Sequence, residues 1–306
     1  MDRKESGADP KGVLAAVLTP MDEDLKPDHE VFAAHCRRLL AAGCHGLSVF
    51  GTTGEANSLS ANERLAALEA LVESGVPLET LLPGTGSCAL TDTVRLSRAA
   101  LAAGATSVLV LPPFYYKGVG DDGLFRFFAE VVERVGDDRL RLYLYHIPQM
   151  TGVDLGLPLI SRLTEAYPGV VVGTKDSSGD RERIMTLCRE FSDFSVFAGT
   201  ETLLLETLRG GGEGCISATV NVTSRLARQV YDAHASGKDD EAEALQERLT
   251  QLRASIEAYP VIPALKVLIG ELTDDEAWRN LRPPLSGLDE QQTKRLFSDV
   301  PLAELL

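Results

Sequence analysis

Cysteine and histidine are scarce in this chain, five of each in 306 residues. The cysteines (Cys36, Cys44, Cys88, Cys188 and Cys215) are odd in number, scattered, and form no C-x-x-C pair. That argues against a disulfide framework and for reduced thiols in a cytoplasmic protein. The histidines show no metal-ligand spacing, so no metal site is expected. Basic charge is also short, with 30 Lys and Arg against 45 Asp and Glu and a formal net charge of -15. Nucleic acid and an anionic membrane both need a basic face, and neither is expected as a main partner. A small anionic substrate in a single basic pocket remains compatible with an acidic protein. No apolar run reaches the roughly 18 residues that span a bilayer. The polar start, residues 1–6, lacks the apolar stretch of a signal peptide.

Hydrophobic residues make up 44% of the chain and charged residues 25%, enough to bury a full core. Short apolar runs alternate with amphipathic segments almost from end to end. Eight strands are expected, at 13–18, 46–50, 79–83, 107–111, 140–145, 170–175, 195–198 and 214–217. Between them lie stretches of 3.6-residue periodicity, among them 29–42, 61–74, 91–103 and 123–135. Several end in glycine, as in Ala42-Gly43, Ser74-Gly75 and Ala103-Gly104, which supplies a left-handed cap. Strands alternating with helices imply a parallel sheet, and eight units favour a closed (β/α)8 TIM barrel over an open doubly wound sheet. The rival fold's fingerprint, G-x-G-x-x-G after the first strand, is missing, and Leu18-Thr19-Pro20 stands there instead. The pattern changes after about Ser236. A charge-studded helix is expected at 239–258, then a break at Pro260 and Pro263, a resumed helix at 264–269, a loop at Arg282-Pro283-Pro284-Leu285 and a last helix near 289–297. This divides the chain into a barrel over 10–236 and a small helical C-terminal extension over 237–306, packed on the barrel or on another subunit.

Lys175 closes the apolar run Val170-Val171-Val172-Gly173-Thr174 and is followed by Asp176-Ser177-Ser178-Gly179. A lysine has no packing reason to end an interior strand. In a parallel barrel that end is the catalytic rim, and an amine desolvated there becomes a usable nucleophile for a Schiff base. The alternative is a strand-end lysine paired with Asp176 and pointing into water. Other strand ends carry matching groups. Gly51-Thr52-Thr53-Gly54-Glu55 and Pro83-Gly84-Thr85-Gly86-Ser87 offer hydroxyls and backbone donors to a small anion. Pro112-Pro113-Phe114-Tyr115-Tyr116-Lys117 and Tyr143-Leu144-Tyr145-His146-Ile147-Pro148 bring phenols, and Gly214-Cys215-Ile216-Ser217 ends the last strand. An imine-forming lysine needs a proton shuttle, which a phenol can be, and a 2-oxo acid needs its carboxylate held. Taken singly, each group has an ordinary reading as a turn, a loop anchor or half-buried packing.

In combination these motifs resemble the family of dihydrodipicolinate synthase and N-acetylneuraminate lyase, from Leu18-Thr19-Pro20 to Arg282-Pro283-Pro284-Leu285. The resemblance implies a class I aldolase or related lyase with no cofactor beyond the covalent lysine imine. Lys175 would hold pyruvate or another 2-oxo acid, and Tyr145 would be the acid–base phenol. Thr53, beside Gly51, would bind the keto acid's carboxylate, with Thr52 in the proton relay. Tyr115 would reach into a neighbouring subunit's site in a homotetramer or homodimer. Ile216 would place its backbone carbonyl near the lysine.

The departures bear on substrate. Where dihydrodipicolinate synthases carry an arginine for the aldehyde's carboxylate, this chain has Met150, which cannot pair with a carboxylate. Where sialate lyases carry an acidic pair, Gly199-Thr200-Glu201 leaves only Glu201. His146 stands in place of the common asparagine. The reading is therefore a lyase that cleaves, condenses or dehydrates a hydroxy-2-oxo acid or keto-deoxy sugar acid. Dihydrodipicolinate synthase proper is the alternative that Met150 opposes. A non-catalytic keto-acid-binding regulator is opposed by the completeness of Lys175, Tyr145, Tyr115 and the threonine pair. A metal-dependent aldolase is opposed by the missing histidine cluster.

Overall fold

The computed structural model describes residues 10–306, so the polar start lies outside the described residues. Seven parallel strands, β1 (Gly12–Ala16), β2 (Gly46–Ser48), β3 (Ser107–Val110), β4 (Arg141–His146), β5 (Val171–Asp176), β6 (Ser195–Ala198) and β7 (Gly214–Ser217), form one sheet in the order β2-β1-β7-β6-β5-β4-β3. The strand expected at 79–83 is a correction. Leu78–Thr80 is a short 3-10 turn, and the extended residues after it fill the gap between β2 and β3. The Leu82 and Gly84 N–H groups donate to the Leu47 and Val49 carbonyls at 2.9 and 2.7 Å. Across the other edge, the Leu109 N–H donates to the Pro83 carbonyl at 2.9 Å. Pro83 has no N–H, so this eighth stave closes the barrel without a regular ladder.

Alternation along the strands sorts the core into layers. Leu14, Ala16, Tyr143, Phe197 and Ile216 fill the barrel interior, whereas Val13, Ala15, Leu142, Leu144 and Val196 pack outward against the helices. The glycines expected to end helices do so with left-handed φ, 107° at Gly43, 75° at Gly75 and 111° at Gly104.

A third apolar cluster joins the barrel to the C-terminal helices, with Leu18 and Val222 packed among Leu252, Leu265, Leu268 and Trp278. Helix Asp239–Glu257 is as expected to within a residue, but the next helix is longer and starts earlier, at Val261–Thr273. Pro260 is its N-cap residue and Pro263 lies in its first turn, where the missing N–H would have had no partner. The last helix is Glu290–Asp299.

His35 sits beneath this junction, fully buried, with Nε2 2.9 Å from the Asn221 side-chain oxygen and its ring 4.8 Å, edge-on, from Trp278. Burial lowers its pKa to about 4, against the opposing hydrogen bond to Asn221. The folded value lies below that of the unfolded chain, so the neutral ring's contribution is complete above pH 6.5 and drains away toward pH 4, by about 3 kcal/mol. Urea unfolding at pH 7 and pH 4 is expected to show this loss in the wild type. It should be largely missing in His35→Gln, and equal losses in both would remove His35 as the cause.

Candidate active site

Parallel pairing of β4 with β5 sets Tyr145 beside Lys175. The Lys175 Nζ lies 3.3 Å from the Tyr145 hydroxyl, which is 3.2 Å from the Thr52 hydroxyl across the barrel mouth. Amine, phenol and alcohol thus form one hydrogen-bonded chain. Lys175 is only 4% exposed. Among the described residues no carboxylate lies within ion-pair distance of it. Asp176, which could have neutralised it, points the other way. Its carboxylate takes the Arg183 Nε at 2.6 Å and the Ser178 N–H and hydroxyl at 3.0 and 2.5 Å. The strand-end lysine paired with Asp176 in water is not what forms.

The loop that carries the threonines is held from below. The Thr19 hydroxyl donates to the Gly54 carbonyl at 2.8 Å, and a Cβ on Gly54 would stand 2.7 Å from the Val17 carbonyl oxygen. Glu55, the motif's carboxylate, faces away from the cleft. It is buried with the fully buried Lys266 and also accepts the Arg282 N–H at 3.1 Å. Lys266 donates further to the Asn280 carbonyl at 2.8 Å.

Lys175, Tyr145, Thr52, Thr53, Met150, Gly199 and Thr200 line one cleft of about 830 Å³. Gly199 lies so close to Ser177 that a Cβ there would overlap the serine's Oγ at 1.9 Å. Met150 is 63% exposed at the rim, beside Gln149, whose amide donates to the Ser177 carbonyl at 2.6 Å. Gly51, Ile216 and Tyr115 are not among the residues lining this cleft. Gly51 is buried and borders a small cavity shared with Tyr145, and the Ile216 side chain fills the barrel interior, which leaves the expectation for its backbone carbonyl untouched. Tyr115 is 75% exposed and stacks edge-on with Tyr116, outside this cleft.

Glu201 is the clear correction. It is fully buried, and its carboxylate accepts from Ser217, Thr219, Thr223 and Arg253, leaving nothing for a substrate hydroxyl. Burial pushes its pKa up, but the Arg253 guanidinium and the hydroxyls outweigh that and hold it below the ordinary carboxylate value. His146 is also internal. Its Nδ1 accepts the Leu155 N–H at 3.3 Å, and burial lowers its pKa although Asp176 and Asp154 pull it up.

Sequence reasoning missed the outer wall of the cleft, which the C-terminal extension supplies through Arg253, Glu257, Val261, Ile262, Leu285 and Gln292. Arg253 and Glu257, spaced i,i+4, belong to the charge-studded helix; only the burial of Arg253 against Glu201, and its bond to the partly exposed Glu257, mark them. Among the described residues no three His, Cys, Asp or Glu side chains gather as metal ligands, and no helix is long and apolar enough to cross a membrane.

With this geometry in hand, comparison with known proteins is direct. The sequence model of the dihydrodipicolinate synthetase family matches residues 9–301. The chain belongs to that family. It is 37% identical over 290 residues to an uncharacterized DapA-like lyase of Chloroflexus aurantiacus, an alignment covering 94% of this chain and 95% of that one. The crystal structure of dihydrodipicolinate synthase from Agrobacterium tumefaciens is similar at a TM-score of 0.86 with 34% identity, covering 95% and 98% of the two chains. YagE of E. coli K12, a prophage protein of the same family solved in complex with pyruvate, is similar at a TM-score of 0.86 with 28% identity, covering 94% and 96%. The chain is thus a lyase or aldolase of the dihydrodipicolinate synthetase family, and its Tyr145–Lys175 pair sits at the mouth of that family's barrel.

Arg253→Met would leave the Glu201 carboxylate buried and unpaired. A loss of about 3–5 kcal/mol in stability is expected from the denaturant midpoint. Adding Glu201→Gln to that variant should recover part of it, and an unaffected midpoint in the single variant would show the pair to be inessential.

Proposed function

We propose that the chain is a Schiff-base lyase acting on pyruvate or a related 2-oxo acid through Lys175. The observation that carries this reading is the buried hydrogen-bonded chain Lys175–Tyr145–Thr52 on the floor of an open cleft, with no carboxylate partner on the amine among the described residues. The Lys175 nitrogen adds to the keto carbon, and the Tyr145 hydroxyl passes a proton to the oxygen as it leaves as water. The resulting imine withdraws electrons from the neighbouring carbon. That carbon can then lose a proton to Tyr145 to give an enamine; alternatively its bond to a hydroxyl-bearing carbon breaks, the hydroxyl proton passes to Tyr145, an aldehyde leaves and the enamine stays on Lys175. Thr52 relays the proton and Thr53 binds the keto acid's carboxylate. The same reading assigns the exposed Tyr115 to the cleft of a second copy in a homo-oligomer.

The pyruvate complex of the prophage relative supports a 2-oxo acid here. The far end of the substrate is less acidic than aspartate semialdehyde, because Met150 and Gln149 occupy the rim where a cation would be needed. A keto-deoxy sugar acid or a hydroxy-2-oxo acid fits this rim.

Borohydride trapping with pyruvate, followed by mass spectrometry, is expected to place a pyruvate-derived adduct on Lys175. Lys175→Ala is expected to trap nothing and to abolish turnover, and turnover that survives in it would remove the lysine from the mechanism. Met150→Arg is expected to raise condensation of pyruvate with aspartate semialdehyde by roughly tenfold, the scale of one charge-assisted pair. No gain would mean that the rim differs by more than this residue.

A further inference from the structure

We propose that Glu257 selects the acceptor half of the substrate. It would accept hydrogen bonds from the hydroxyls of a neutral polyhydroxylated chain and repel one that ends in a carboxylate. The inference rests on the Lys175 reading above and deepens it.

A cleft of about 830 Å³ lies within the roughly 300–1,000 Å³ range that holds drug-sized ligands, so a three-carbon keto acid leaves most of it empty. The remainder is the place of the acceptor half. The charged side chains among its described lining residues are Lys175, Arg253 and Glu257. Lys175 is committed to the imine. Arg253 is committed inward: one guanidinium nitrogen bonds to Glu201 and lies 2.7 and 2.9 Å from the Ser217 and Thr219 hydroxyls, while the other meets the Glu257 Oε1 at 2.6 Å. No uncommitted cation therefore faces an incoming carboxylate.

Glu257 is placed differently. Its side chain is 44% exposed and borders the cleft, yet it is fixed in direction by the Arg253 contact one helical turn earlier. An ionised carboxylate accepts about four hydrogen bonds. One bond to Arg253 leaves room for neighbouring hydroxyls of a sugar-like chain. The nearby wall, including Gln149, Ser178 and Thr200, adds neutral hydrogen-bonding groups of the same kind. A second carboxylate in this space would meet Glu257 as a like charge, and the one cation beside it, Arg253, is already shared between Glu257 and Glu201.

The test uses the full-length protein. Borohydride trapping of pyruvate at Lys175 without any aldehyde comes first, and its failure would retire the Lys175 reading itself. With the adduct established, kcat/KM for condensation is measured with D-glyceraldehyde and with succinic semialdehyde. The wild type is expected to favour glyceraldehyde by at least roughly tenfold, and Glu257→Gln to lower that ratio by roughly tenfold. Both condensations pass through the same pyruvate imine, so the ratio cancels any damage to Lys175 or loss of folded protein. Glu257→Asp keeps the charge but withdraws it by one methylene, and should lower the ratio by a smaller factor. It carries the test if the glutamine variant fails to fold. A wild-type preference for succinic semialdehyde, reaction with neither aldehyde in protein that traps pyruvate, or an unchanged ratio in the folded variants would each overturn the assignment.

Discussion

The arrangement depends on a buried charge pair distant in sequence from the lysine that defines the site. Glu55 and Lys266 are both fully withdrawn from water. Moving two such ions out of water costs several kcal/mol each, and their attraction offsets this only when the remaining hydrogen-bonding capacity is met. Here it is met by the Asn280 carbonyl on one side and the Arg282 N–H on the other. A hydrophobic pair of the same volume would stabilise about as well. What the ions add is position. Glu55 ends the loop that carries Thr52 and Thr53 and holds a left-handed backbone, φ 53°, that a non-glycine residue adopts only when something else secures it. Lys266, on the C-terminal extension, is what secures it.

A second pair fixes the opposite side of the mouth. Arg253 reaches from the extension into the barrel and ties Glu201, which follows Gly199 and Thr200, to the Ser217 hydroxyl at the end of β7. The extension therefore grips the rim at two places, and each grip lies within two or three residues of a group lining the cleft. The extension is better understood as the outer half of the site than as an appendage. Arg282 adds a third contact, its guanidinium bonded to Glu63 and to the Leu25 and Ser58 carbonyls. This links the Arg-Pro-Pro-Leu motif to the helix after β2.

The sequence carried the inner half of this site well and the outer half poorly. Period-2 and period-3.6 patterning marked the barrel, and Lys175 at the end of an apolar strand marked the floor of the cleft, because both signals are local. The stave at 79–83 was harder. Its apolar pattern is that of a strand, but Pro83 and the 3-10 turn before it leave only scattered ladder bonds, a distinction of hydrogen bonding rather than of hydrophobicity. Glu201 misled for a similar reason. A carboxylate at a strand end looks like a ligand until its partner is known, and Arg253 lies 52 residues away in a helix whose charges resemble a solvated face. Long-range charge pairing leaves no period in a sequence, so Glu55–Lys266 and Glu201–Arg253 were both invisible.

The division between halves separates what the barrel holds fixed from what can vary. Lys175 and Tyr145 stand on adjacent strands, β5 and β4, and the backbone register sets their separation. Variation elsewhere leaves that separation alone, and the imine chemistry proposed above would need little more than these two groups and a held carboxylate. The outer part of the cleft is lined by side chains from a rim loop, at Gln149 and Met150, and from two helices of the extension, at Glu257 and Ile262. Apart from the Gln149 bond to the Ser177 carbonyl, none of these side chains is tied to the barrel strands, so each can change with little effect on the fold. Arg253 sits at the boundary. It is fixed inward by Glu201 and outward by Glu257, so the group that bolts the extension to the barrel also orients a carboxylate at the outer wall of the cleft.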